Sequence, residues 1–493
     1  MKDTDEPRPS AGQLFLSVFP SVMLPMFLAV VDQTMVSTAL PAIAASLGSV
    51  ERVSWVVVAY LVAGTVAAPV YGQLRDAYGG KRMMFVALGV YLAGGISCAV
   101  SLSVEMLALA RIVQGFGGGG LMTLSQALIG ETVPPRDRAR YQGYIAAVAV
   151  TSSAFGPVVG GILTQQFGWR SVFLVNIPLG LIAVLLTLRL PARPAREQPW
   201  SFDTMGLVLF TAFIVPVLLA LEQAHRMSAD VLPALVALLT IGIAALVALI
   251  RQERRAAFPL LPISLLRQPT IWRSDALAAV HGATLVSLIA FLPIYLRVMH
   301  GTSAAETGLM LLPLTFGIGT GSMLTGRVVS KTGLTAIFPS VGLIFAVVTL
   351  LMLALLANRI GMGQLGVLLF FAGMFMGTVM GVVQITVQNA AGRASLGSAA
   401  ASVQLSRSIG AAAGTALVGT VLFAALALGD PGSARLFAAL LNDGPAALAG
   451  EALPDAGVHH ADITGAFRAA FLTIAAFAAI GVALAWSIPA RRL

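Results

Sequence analysis

Four ionisable side chains stand inside long apolar runs: Asp32, Arg111, His281 and Arg407. A carboxylate in such surroundings has two accessible states, because burial favours its neutral form and a nearby guanidinium favours its anion. Water or solute moving between the two groups then switches the proton on or off. That is the physical requirement for exchanging a proton against another solute: the two compete for one site or one conformation. At the helical rise of 1.5 Å per residue, Asp32 lies roughly 13 Å from the Pro41 end of its run and Arg111 roughly 10 Å into its own, a similar depth. Asp32 is read as the main proton acceptor and Arg111 as the group that tunes it; the plainer alternative is a permanent ion pair that only fixes packing. His281 is either a proton relay or a satisfied structural histidine. Gln114, Gln126, Gln384, Gln388 and Arg407 either line a polar substrate path or bond neighbouring helices together.

The runs that carry these groups define the class of protein. Of 493 residues, 58% are hydrophobic and 10% are charged, and mean hydropathy is +0.90. Soluble domains carry about 25% charged residues, so lipid is the solvent to consider, in which a helix needs about 20 apolar residues to cross. The formal charge of +9 would raise nucleic-acid binding in a soluble protein. Here the basic residues sit in short loops between apolar runs, which makes them orientation signals, and no nucleic acid is expected as a partner. The first run, from about Leu14 to Leu40, is too long for a signal-peptide core and is read as an uncleaved span. The single cysteine, Cys98, lies within an apolar run and reads as core filler.

Fourteen spans are expected: 14–40, 53–74, 83–102, 104–130, 141–164, 171–190, 204–222, 231–250, 274–298, 305–328, 335–357, 364–388, 397–428 and 464–488. With the N-terminus inside, Lys and Arg favour the inner segments roughly threefold, which places both termini in the cytoplasm. Residues 191–203, rich in proline, and the basic segment 251–273 read as linkers. The long outer loop from about 430 to 464 contains an apolar stretch, Leu436–Leu441, expected either as a short helix lying on the membrane surface or as a disordered loop.

A shift of 254 residues superposes Gly72 on Gly326, Gly79 on Gly333, Gly143 on Gly397, Gly156 on Gly410 and Gly160 on Gly414. Internal repeats of this kind are common in transporter folds. They divide the chain into a six-span bundle over 1–190, linkers and two inserted helices over 191–273, and a second six-span bundle over 274–493. The site is expected near the membrane midplane between the bundles.

The loop after the second span reads Gly72-Gln73-Leu74-Arg75-Asp76-Ala77-Tyr78-Gly79-Gly80-Lys81-Arg82 and resembles the signature loop of the major facilitator superfamily. Arg111-Ile112-Val113-Gln114-Gly115 is similar to that family's Arg-x-x-Gln-Gly motif, and Gly156-Pro157-Val158-Val159-Gly160-Gly161 to its antiporter motif. Asp32-Gln33-Thr34-Met35-Val36-Ser37-Thr38-Ala39-Leu40-Pro41, Trp169-Arg170, Asn176-Ile177-Pro178-Leu179-Gly180 and Arg407 with Gly410 resemble the fourteen-span drug:proton antiporters of the EmrB/QacA type. The resemblance implies an all-α integral membrane protein with the major facilitator fold, in which spans 1 and 4 are neighbours lining the cavity. It implies that Gly72, Arg75, Asp76, Gly79 and Arg82 gate the inner face, Asp76 by pairing with an Arg or with the start of span 13. It further implies that the bend at Gly156, Pro157, Gly160 and Gly161 seals against leak, where the residues alone allow a plain packing kink.

Residues and resemblance together imply a proton-coupled exporter of lipophilic drugs or toxic amphiphiles in the cytoplasmic (inner) membrane. It is not expected to be an enzyme, and it uses the proton gradient with no cofactor or metal. Export of an endogenous metabolite or lipid is an alternative, and a non-transporting sensor or channel is one of a different class. Some members of the subfamily work with periplasmic adaptor proteins; nothing in the sequence calls for one. The Gly117–Gly120 run is no phosphate loop, since it lacks the following Lys-Ser/Thr.

Overall fold

The computed structural model describes residues 11–48, 52–190, 201–223, 232–429 and 456–492, with 432, 433, 436, 437 and 440 between the last two stretches. Among them there is no strand, only one isolated antiparallel bridge between Leu334 and Arg492. The helices are α1 (Ala11–Leu47), α2 (Trp55–Tyr78), α3 (Gly80–Ala99), α4 (Val104–Thr132), α5 (Pro135–Phe167), α6 (Ser171–Leu174), α7 (Asn176–Thr187), α8 (Thr204–Gln223) and α9 (Leu232–Glu253). Next along the chain are α10 (Ile263–Leu266), α11 (Pro269–His300), α12 (Ala304–Thr332), α13 (Ile337–Leu356), α14 (Met362–Met376), α15 (Met380–Ala391), α16 (Leu396–Leu428) and α17 (Ala456–Ser487).

Local chemistry sets several boundaries. Ser103 Oγ accepts from the Met106 amide and starts α4, and Ser303 with Glu306 forms a capping box that starts α12. Gly79 (φ 89°) ends α2, and Gly333 (φ 70°) ends α12. The backbone there enters a region that costs a side-chain-bearing residue about 1 kcal/mol or more. These two glycines are one of the pairs related by the 254-residue shift.

Twelve of the described helical stretches are long and apolar enough to cross a membrane, against the fourteen expected. The two regions outside that count are α4, whose hydropathy is lowered by Arg111, Gln114 and four consecutive glycines, and the shorter 171–187 stretch, which breaks at Val175 into α6 and α7. A second break, at 377–379, divides the expected 364–388 span into α14 and α15.

Two compact units emerge. One takes in the chain to Tyr141, Thr151–Asp203 and Ala391–Ser402; the other takes in Gln142–Val150, Thr204–Ala390 and the chain from Val403. In the first, α2, α3 and α1 pack on α4, and α1 packs on α7. Close approach is possible because α4 presents Gly115 and Gly118 to Tyr60, Gly117 to Tyr91 and Gly119 to Gly64. Small residues substitute here for the hydrophobic push that lipid does not supply. Gly156 and Gly160 of α5 lie against Thr34 and Met35 of α1.

In the second unit α12 packs on α14, α17 on α11 and α13, and α8 on α9. Gly410 and Gly414 of α16 lie against Ala279 and Ala283 of α11. Of these two shift-related pairs, the members Gly156 and Gly160 thus meet α1, and their counterparts Gly410 and Gly414 meet α11. Leu436, Phe437 and Leu440 are buried in an apolar cluster with Phe467 and Phe471. The described apolar side chains of the expected 436–441 stretch are thus covered by protein. Residues 441–455, like the proline-rich 191–200, lie outside the described residues.

Candidate functional site

Asp32 sits at the middle of α1, wholly buried (0% exposed), as are Arg111 and Gln114. Arg111 and Gln114 are three residues apart on α4 and so point to one side of it. Arg111 Nη1 donates to Asp32 Oδ2 at 2.5 Å and to Gln114 Oε1 at 2.8 Å. Asp32 Oδ1 accepts from Gln114 Nε2 at 3.0 Å and from Asn176 Nδ2, at the start of α7, at 2.7 Å. Arg111 Nε donates to the Val56 carbonyl at 3.2 Å, and its guanidinium lies 4.1 Å from the centre of the Tyr60 ring and 5.8 Å from that of Phe173. Tyr60 and Tyr91 hydroxyls donate to the Ala29 and Leu28 carbonyls of α1, at 3.0 and 3.1 Å. The Cys98 thiol completes the rim, 3.4 Å from Gln114 Oε1.

This geometry sets the electrostatics. Charge-assisted bonds in a low-dielectric interior are strong, and the two opposite charges cancel. Desolvating both ions is nevertheless expensive, so the pair is held by its extra donors and by the cation–π contacts. Two polar atoms of the network remain without a partner, Arg111 Nη2 and Asn176 Oδ1. In this conformation the carboxylate faces no solvent-accessible space, which differs from a group opening onto a chamber: three donors and an aromatic shell enclose it. Gln114 likewise serves Asp32 rather than a substrate path.

Other candidates fall elsewhere. His281 belongs to the second unit, where its Nε2 lies 3.1 Å from the Met376 carbonyl at the α14–α15 break, and its Nδ1 has no partner. The Asp32–Arg111 pair belongs to the first unit. Arg407 is half-buried on α16, with its carbonyl and Cγ against Gly282. Gln384 and Gln388 are buried on α15, with Gln384 Nε2 unpartnered, and Gln126 is half-buried on α4.

At the end of α2, Asp76 reaches α16. Its carboxylate accepts from the Gly397 and Ser398 amides at 2.9 and 3.0 Å and from the Ser398 hydroxyl at 3.0 Å. It therefore acts as a borrowed cap for the N-terminus of another helix. Arg75 bridges Asp76 at 2.7 Å and also bonds Glu131. Gly72 and Gly397 face each other there, each where a Cβ would strike the other's backbone. Arg82 is exposed. On α5, a Cβ at Gly156 would strike Thr34 Oγ1, whereas Gly161 faces open space and Pro157 is exposed.

Residues 22–415 match the Major Facilitator Superfamily. The chain belongs to that superfamily. Members of that superfamily are membrane transporters rather than enzymes and need no cofactor, and the twelve apolar helices fit a multi-pass membrane protein. An uncharacterized MFS-type transporter of Mycobacterium tuberculosis is 33% identical over 406 residues, covering 82% of this chain and 59% of the relative, so the chain spans about three-fifths of that protein's length. The multidrug transporter protein MdtP of Bacillus subtilis is 28% identical over 86% of this chain and 77% of its own. Among solved structures, the human organic anion transporter MFSD10 (TETRAN) superposes with a TM-score of 0.66 at 15% identity, covering 95% of this chain and 99% of that one. The proton:xylose symporter XylE gives 0.61 at 13%, covering 97% and 96%. At such identities these two establish the fold alone.

Asn176, Tyr60 and Cys98 were not assigned to the site from sequence. Asn176 carried a signal, a polar residue within the subfamily-like Asn-Ile-Pro-Leu-Gly stretch, but nothing in the sequence linked it to Asp32.

Proposed function

We propose that this facilitator is a fourteen-span antiporter of the EmrB/QacA type, exporting lipophilic or amphiphilic compounds across the cytoplasmic membrane in exchange for protons by alternating access. In this reading α4 and the α6–α7 pair are the two further spans. The bundles are 1–190 and 274–493 with 191–273 inserted, and both termini are cytoplasmic. Multidrug and efflux proteins among the relatives support the substrate class.

The observation that carries the coupling is the sealed Asp32–Arg111–Gln114–Asn176 network. With Asp32 ionised, the core of the first unit is electrically neutral and closed. Protonation removes the charge that Arg111 answers to, and a buried guanidinium without a counter-charge is costly enough to force α1 and α4 to part. Proton uptake is thereby tied to a change of conformation, and Asp32 becomes reachable only in the opened state. The Asp76 cap on α16, with Gly72, Arg75 and Gly79, holds the inner face closed in that cycle, and the Gly156–Gly160 contact on α1 keeps it from leaking.

The test is proton release in detergent from the purified transporter, on addition of cationic, neutral and anionic amphiphiles in turn. At least one class should release protons from wild type and none from Asp32→Asn. Release by Asp32→Asn equal to wild type would sink the coupling role.

A further inference from the structure

Arg407 lies eleven residues after the start of the 33-residue α16, roughly 16 Å along the helix axis. A guanidinium does not lose its proton in proteins, and a charge at membrane depth is expensive unless paired. Yet among the described residues Arg407 has neither an ion pair nor a hydrogen bond. Three of the described acids of its own unit are engaged elsewhere. Glu253 accepts from the Leu261 amide, Glu306 serves Ser303, and Asp462 accepts from Ser433. Asp275 stands near the start of α11, about 9 Å of helix rise before His281. The contrast with Arg111, which has an acid, a glutamine, a carbonyl and two rings around it, is direct.

Two features show that the surroundings accommodate the cation without neutralising it. Gly282 has no side chain, and a Cβ there would strike the Arg407 carbonyl and crowd its Cγ; the missing side chain is the space in which the arginine stem lies. The neighbouring residue, His281, is buried and spends Nε2 on the Met376 carbonyl, so that Nδ1 is a second polar atom left without a partner. A fixed cation lacking an acid, whose stem packs on the residue that follows a histidine with an unpartnered ring nitrogen, is complementary to a ligand that brings an anionic oxygen and a hydroxyl or amide.

We propose that Arg407, flanked by His281 and seated on Gly282, binds the anionic head group of the amphiphile this transporter exports, a carboxylate or a chemically similar sulfonate or phosphate. The inference rests on the export reading for its substrate, but not on Asp32 or on proton coupling.

The experiment uses the full chain in phosphatidylcholine nanodiscs, with binding of radiolabelled laurate measured by scintillation proximity against unlabelled laurate, lauramide and dodecylamine. Laurate should compete better than neutral lauramide by about tenfold, the scale of one charge-assisted hydrogen bond, and dodecylamine should compete least. Arg407→Gln should erase the preference for laurate over lauramide, and Arg407→Lys should retain most of it. Equal competition by laurate and lauramide on wild type overturns the proposal, and so does an unchanged preference in Arg407→Gln. Should Arg407→Gln not fold, the wild-type series and Arg407→Lys still decide. Adding phosphatidylglycerol to the discs separates sources: laurate binding that persists supports an exported ligand, whereas displacement assigns the site to a resident lipid and overturns its role in export. Asp32→Asn should lose proton release and keep the laurate preference; proton release retained in that variant with the preference intact counts against the coupling scheme alone.

Discussion

Replacing Asp32 by Asn leaves the shape of the network and removes its charge. The new side chain can still accept from Gln114 and Asn176 through its oxygen. The position now 2.5 Å from Arg111 Nη1 then carries an amide N–H, so that two donors face one another. Arg111, wholly buried, loses its counter-charge, and its Nη2 is already without a partner. Removing one member of a buried pair costs about 3–5 kcal/mol. Against a total stability of about 5–15 kcal/mol, that is a large fraction. Arg111→Gln should cost a similar amount by orphaning the carboxylate. The double variant Asp32→Asn/Arg111→Gln, which carries no buried charge, should cost less than the sum of the singles by about 2–3 kcal/mol. Equilibrium unfolding in mixed detergent, with purified protein in each case, measures the cycle. A coupling energy below about 0.5 kcal/mol would show that the two groups do not interact as a sealed ion pair, and the coupling scheme would lose its basis.

The same geometry predicts three further outcomes. Asn176→Leu removes a 2.7 Å donor from the carboxylate and should cost about 1–3 kcal/mol in that assay, with proton release weakened rather than abolished. Asp76→Ala withdraws the cap shared by the Gly397 and Ser398 amides; a loss of about 0.5–2 kcal/mol and faster proteolysis near residue 393 are expected, and an unchanged cleavage rate would contradict the capping role. Gly156→Ala should overpack against Thr34 at a cost of about 1–3 kcal/mol, while Gly161→Ala, which meets nothing within 4 Å, should be neutral or stabilising by up to about 1 kcal/mol; thermal unfolding of the two variants side by side checks the contrast.

Asp32 and Arg111 were legible in the sequence because a charge inside an apolar run has few cheap explanations, and helical rise alone placed them at one depth. The signature loop was legible because its glycines and charges recur at fixed spacing, and Asp76 meets the start of α16 as the resemblance implied. Glutamines were harder. A glutamine lining a path and one bonding a neighbouring helix look alike in sequence, and Gln114 proved to serve the ion pair. The break at Val175 carried a signal that went unread, since Pro178 has no N–H to give the Leu174 carbonyl; the break at 377–379 has no proline, and its continuous apolar run conceals a change of backbone direction. Burial of Leu436, Phe437 and Leu440 also escaped a one-dimensional reading, because an apolar cluster within a polar loop looks the same whether lipid or protein covers it.

The chain's one cysteine stands behind the Gln114 amide, closed off from both water and lipid. Nature has thus installed a reporter at the heart of the first unit. A membrane-permeant maleimide can reach that sulfur only while the surrounding helices separate, so the alkylation rate becomes a clock for the opening. No engineered label is needed to read it, and any compound that hastens or slows the clock does so by shifting how often the core is ajar.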